Sequence, residues 1–222
     1  MADSTTNTQI TDLLCSKATL KQDICQHTSE ILGQFKDRAS QMAEWMHGEV
    51  CHLDPRVQIE YQDLNDYEAS LKFGGDLLYI HQHTNIFTLD RKSLLWNKDY
   101  IKEKPSRSFF GILHFYNFLA DSFKYHRSQD AGVLLCRLFV NGEGHFFIEG
   151  ISGLNRPMRE LEKQKLSPSE VQRILELLVQ HALHNDLTAP AIEDIVLASV
   201  GDMKARASEL QMRTGKKLGF KP

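Results

Sequence analysis

Between Gln9 and about Val50 the chain is mostly polar, but Ile24, Ile31, Phe35, Met42 and Met46 recur at sevens and fours, which places them along one side of a 3.6-residue helix. The spacing predicts a long amphipathic helix within residues 9–50. Thr19 and Gln22 are spaced as a capping box that would start it, Gly48 stands near its end, and Ile10, Leu13 and Leu14 predict a shorter helix before it. The Asp54-Pro55 step then forces a turn.

Past that step the period changes from helical to alternating. Val57, Ile59 and Tyr61 mark one strand and Ala69, Leu71 and Phe73 the next. Gly74-Gly75 is a hairpin signal because both positions accept positive φ, and Leu77 to Ile80 supply the returning strand. Thr84-Asn85 marks a further turn, with Ile86 to Leu89 as a short fourth strand. From Ser106 to Phe123 apolar and aromatic residues leave almost no polar side, and the length of the run predicts a buried helix. Val133 to Val140 and His145 to Ile148 then flank Asn141-Gly142-Glu143-Gly144, a second hairpin signal.

The carboxyl-terminal part returns to helical spacing. Ser167 caps, Pro168 suits the first helical position, and Glu170 completes the box, after which Val171, Ile174, Leu175, Leu178 and Ala182 share a face. Pro190 opens another helix in which Ile192, Ile195, Val196, Met203 and Leu210 keep helical spacing. The expectation is a single α+β domain over residues 1–222. It has a helical segment at 9–50, an antiparallel sheet over 57–150 interrupted by a buried helix at 106–123, and helices over 167–214.

Composition narrows the function classes. With 41% hydrophobic and 25% charged residues, the chain can bury a core. A net charge of −3 gives no overall attraction to nucleic acid or anionic lipid. MADSTTNTQI lacks the basic start and apolar run of a secretory signal, and no apolar stretch approaches the ~20 residues that cross a bilayer. Cys15, Cys25, Cys51 and Cys136 form no CxxC pair and read as reduced thiols, which sets the expectation of a cytoplasmic protein.

Two constellations carry candidate chemistry. His81 and His83 are alternate residues of a strand and so share a face, with His145 as a third metal ligand from a neighbouring strand, or Asp76 or Glu149 in its place. Arg137 and Glu149 oppose each other across the second hairpin, where they form a carboxylate-binding pair or a plain cross-strand ion pair. No GxSxG elbow or phosphate-cradling glycine loop occurs, no catalytic residue is assigned, and no cofactor is expected. Arg206, Arg213, Lys216, Lys217 and Lys221 make a basic tail that reads as a solvated helix end.

From about Ser16 to Asp186 the order helix, antiparallel strands, helix, hairpin, helix resembles the layout of small secretion-chaperone-like domains, with no shared motif. The resemblance implies a sheet that presents a surface to protein partners. The leading expectation is therefore a non-enzymatic protein-binding domain, with self-association as a homodimer and no membrane or nucleic-acid partner. One alternative is a small-molecule site between the sheet and the helix 109–119, with Arg137 at its mouth. The other is a metal-dependent enzyme using His81 and His83.

Overall fold

In the computed structural model, which describes residues 2–187, a helix α1 (Ala2–Val50) leads into a sheet of seven antiparallel strands. These are β1 (Ile59–Asn65), β2 (Glu68–Phe73), β3 (Asp76–Gln82), β4 (Phe87–Thr88), β5 (Phe109–Leu119), β6 (Val133–Asn141) and β7 (Phe146–Gly150). Helix α2 (Asp99–Glu103) precedes β5, α3 (Ala120–Lys124) follows it, and α4 (Pro168–His184) comes last. The strands lie in the order β1-β2-β3-β5-β6-β7, and β4 continues the line of β3 along β5.

The apolar stripe of α1 explains where the helix sits. Ile24, Ile31, Leu32, Phe35, Ala39 and Met42 are buried against one face of the sheet, where Phe35 meets Phe115 edge-on with ring centres 5.0 Å apart. Helix α4 lies on the same face. Its start follows the sequence in Ser167 Oγ accepting from the Glu170 N–H and Pro168 at the first helical position, while the Glu170 carboxylate pairs with Arg156 and Arg173. Strand residues of one parity, among them Leu71, Leu78, Ile80, Leu113, Phe115, Leu138 and Ile148, complete this core. A smaller cluster of Leu89, Leu95, Ile101, Phe110, Phe147 and Leu161 covers one end of the opposite face.

Three expectations change. The run Ser106–Phe123 is not a buried helix: residues 109–119 form the central strand β5, and only Ala120–Lys124 is helical. Both faces of β5 are covered or lined by aromatic rings, which erases the polar alternation that marks a half-exposed strand. The small-molecule pocket expected against a helix 109–119 therefore has no second wall. Second, α1 runs without interruption through Thr19 and Gln22, so these residues cap nothing and Ile10, Leu13 and Leu14 belong to the same helix. Third, the strand expected from Val57 begins at Ile59. The helix expected after Pro190 and the basic tail lie outside the described residues.

Both hairpins form. Gly74 takes φ +61° and Gly144 φ +78°, the left-handed conformation that suits glycine. Buried Asn141 holds the second turn: its Oδ1 accepts from the Glu143 and His145 N–H groups, and its Nδ2 donates to Tyr100 Oη and the Arg107 carbonyl. No described helix is long and apolar enough to cross a membrane.

Candidate functional site

Because side chains alternate, the strand residues that do not face α1 and α4 emerge on the other side of the sheet. Strand register sets five of them in a row across five strands: Glu68 beside His81, His81 beside His114, His114 beside Arg137, and Arg137 beside Glu149. A carboxylate closes each end of a line of two imidazoles and a guanidinium.

Each end of the row is internally paired. Glu68 accepts a 2.6 Å bond from Asn65 Nδ2, and its Oε1 stands 3.3 Å from His81 Nδ1. The Asn65 bond, with help from Tyr79 and His81, holds the Glu68 carboxyl below its usual range against the opposing effect of burial. Burial, reinforced by Glu68, pushes the Tyr79 hydroxyl up to about 12, so it stays protonated and donates. At the other end the Arg137 guanidinium donates to Glu149 Oε2 and lies 5.2 Å over the Phe139 ring.

His114 sits between these pairs. Burial first, and then the charges of His81, His83 and Arg137, push its pKa down to about 4, so the ring is neutral at pH 7. Its buried Nδ1 has no hydrogen-bond partner among the described residues.

Around the row the rings form one connected tract. His114 touches His81 and His83 at centre distances of 6.1 and 6.0 Å, and His83 meets Phe87 at 4.8 Å. In the other direction His114 is followed by Tyr116 at 6.0 Å and Phe118 at 6.1 Å, and Phe118 meets Phe123 at 5.2 Å and Tyr79 at 6.2 Å. Gly132 lets Phe118 lie flat, since a methyl group there would stand 2.3 Å from the Phe118 ring. Tyr79, His81, His83, His114, Tyr116 and Phe118 are all half-buried, and Phe123 is exposed. Among the described residues only Phe123 of α3 packs onto this part of the face, in contrast to the other side of the sheet, where α1 and α4 lie.

The structure places the sequence candidates unequally. His81 and His83 do share a face, and Arg137 does pair with Glu149. His145 does not join them. It lies at the β6–β7 turn, where its Nδ1 is 3.1 Å from the Leu161 carbonyl and its ring is 5.0 Å from Tyr100. Among the described residues no group of three His, Cys, Asp or Glu side chains is arranged to hold a metal ion. Cys136 lies in the core on the helix side, where burial pushes its thiol up and out of nucleophilic range. Hollows of about 610 and 590 Å³ lie elsewhere, at Cys15–Ile24 with Lys104–Arg107 and at Asp54–Gln58 with Lys124.

The sequence reading missed Glu68, Tyr79, His114, Tyr116 and Phe118. The signal was present as a period of two within the apolar run, where Phe110, Ile112, His114, Tyr116 and Phe118 alternate with Gly111, Leu113, Phe115 and Asn117. Compared with known proteins, the chain matches no family model, no curated protein and no solved structure.

Proposed function

We propose that this chain is a non-enzymatic protein-binding domain that docks a partner protein on the open sheet face. The observation that carries the reading is the continuous aromatic and imidazole tract from Phe87 to Phe123. It is half-exposed, rigidly based on β3 and β5, and bordered by two internally paired charges. Aromatic side chains on fixed backbone give contact area with little entropy to lose, which suits them to recognition. The occupant this surface fits is a protein segment that lays aliphatic side chains across Tyr79, Tyr116 and Phe118 and meets Arg137 or Glu149 at the rim. Four free thiols support a cytoplasmic setting for that partnership.

A photoreactive benzoylphenylalanine replacing Tyr116 in the full chain tests this in cells. The reading expects one defined partner, identified by mass spectrometry and then purified. It further expects binding of that partner to weaken at least about tenfold on Phe118→Ser, the loss of one buried aromatic anchor. Capture that is equal from exposed Gln180 on α4, or binding indifferent to Phe118→Ser, refutes it.

A further inference from the structure

The sheet ends on β7 at one side and β1 at the other, and the described residues cover only the first of these edges. On β7 the Phe146 N–H donates to the Gln164 carbonyl, and Ile148 and Arg156 exchange both of their backbone bonds. On β1 the direction of the backbone groups follows from the ladder. The Gly74 N–H donates to the Gln58 carbonyl, and the pairing runs on from there through Ile59 with Phe73 and Glu60 with Lys72. Bonded and non-bonded pairs alternate in an antiparallel ladder, so Glu60 and Gln62 turn their N–H and C=O groups to β2, and Ile59, Tyr61 and Asp63 turn away from it. The N–H groups of these three and the carbonyls of Ile59 and Tyr61 meet no partner among the described residues.

This free stretch has fixed limits and a distinct charge. A bulge between Asp63 and Asn65 ends the ladder, and Lys36 of α1 holds the Asp63 carboxylate and the Asn65 carbonyl. From Ile59 to Asp63 there is no Lys or Pro, the residues that usually block an exposed edge. Ile59 and Tyr61 pack half-buried on the α1 side, and Glu60 and Gln62 stand exposed on the other. Burial, and then the charges of Asp63 and Asp37, push the Tyr61 hydroxyl up to about 12, which places both carboxylates near its ring. With Glu60, Asp66 in the turn and Glu68 on β2, carboxylates outnumber the two cations beside them, Lys36 and Lys72.

We propose that β1 accepts an extended, lysine- or arginine-bearing segment of a partner protein as an added strand of the sheet. Its backbone completes the bonds of Ile59, Tyr61 and Asp63, and its side chains alternate between a basic one beside Glu60 and an apolar one beside Tyr61. A second copy of β1 would double the negative charge at this edge, whereas a basic strand neutralises it. Strand β2 separates this edge from the aromatic tract on β3 and β5, so either surface can fail without the other.

Backbone hydrogen exchange of the full chain, read residue by residue by NMR, tests the proposal with a short peptide of alternating Lys and Val as the probe. In the free chain the amides of Ile59, Tyr61 and Asp63 are expected to exchange fast, and those of Glu60 and Gln62, bonded to β2, slowly. At about 1 mM peptide the three fast amides should slow at least about tenfold, as a dissociation constant of about 100 µM or less implies, and added salt should reverse the effect. The same peptide with Glu in place of Lys, or with every backbone nitrogen methylated, should leave them fast. No slowing by the lysine peptide, or equal slowing by either control, overturns the proposal. Protection of the three amides without peptide overturns it too: protection that rises with protein concentration assigns the edge to a second copy, and protection independent of concentration assigns it to residues 188–222 of the same chain.

Discussion

Gly111→Ala is the sharpest test of how α1 sits on the sheet. Gly111 lies near the start of β5, paired with Val140, directly under Thr28 of α1. Thr28 is fully buried and its hydroxyl donates a 2.6 Å bond to the Ile24 carbonyl, so it has little freedom to turn away. A methyl group on Gly111 would stand 1.9 Å from Thr28 Oγ1 and 2.8 Å from its Cβ and Cγ2. Reaching ordinary contact near 3.4 Å requires helix and strand to part by about 1.5 Å. Overpacking a core in this way costs about 1–3 kcal/mol, and more where both backbones must move. At an unstrained site with room for the methyl, the same change stabilises by about 0.4–1 kcal/mol through the unfolded chain, so the sign alone is informative.

A net loss of about 2 kcal/mol is expected in urea unfolding followed by circular dichroism, a large part of the 5–15 kcal/mol of a typical domain. Thr28→Ala removes the two atoms at 1.9 and 2.8 Å while its own Cβ stays, so the cost of Gly111→Ala in that background should fall by about 1 kcal/mol. A neutral or stabilising Gly111→Ala, or costs that simply add in the double variant, would refute the close approach of α1 to β5.

Two other outcomes follow from buried polar groups. Asn141→Ala, which strands two N–H donors and removes the bonds to Tyr100 and Arg107, is expected to cost about 2–4 kcal/mol in the same assay; a loss below about 1 kcal/mol contradicts its role as the hub of the turn. His114 has its pKa pushed down to about 4 in the folded chain, against about 6.5 when unfolded. The unfolded state therefore binds the proton first, and stability drains away as pH falls from 6.5 towards 4. His114→Phe should flatten that part of the stability curve, and parallel curves for variant and wild type between pH 7 and 4.5 would show that His114 is not the group responsible.

The legible parts of the fold were those with a local cause. Gly74-Gly75, Asn141-Gly142 and Ser167-Pro168 act through their own backbone chemistry, and each stands where the residues indicate. The Ile24–Phe35–Met42 stripe is buried as its period requires. What misled was β5, because this eleven-residue strand in mid-sheet is buried on one face by α1 and α4 and carries its own aromatic rings on the other, so no local window shows a polar side. Losing β5 as a strand also hid the site. Arg137–Glu149 was visible as neighbours across a hairpin, and His81 with His83 as alternate residues. The row that joins them runs through His114, whose place beside both follows from pairing over separations of more than twenty residues. His145 shows the converse error, since similar chemistry on a nearby strand says nothing of which end of the strand it occupies.

The central claim is that the tract through His114, Tyr116 and Phe118 is a docking surface for another protein, and cross-linking in parallel from two positions tests it most directly. With benzoylphenylalanine at Tyr116 the account predicts one partner of different mass, whose purified form binds the wild-type chain and loses affinity on Phe118→Ser, while the same probe at exposed Gln180 on α4 does not capture it. Capture of nothing but the chain itself from Tyr116, or a partner whose binding ignores Phe118→Ser, would contradict it.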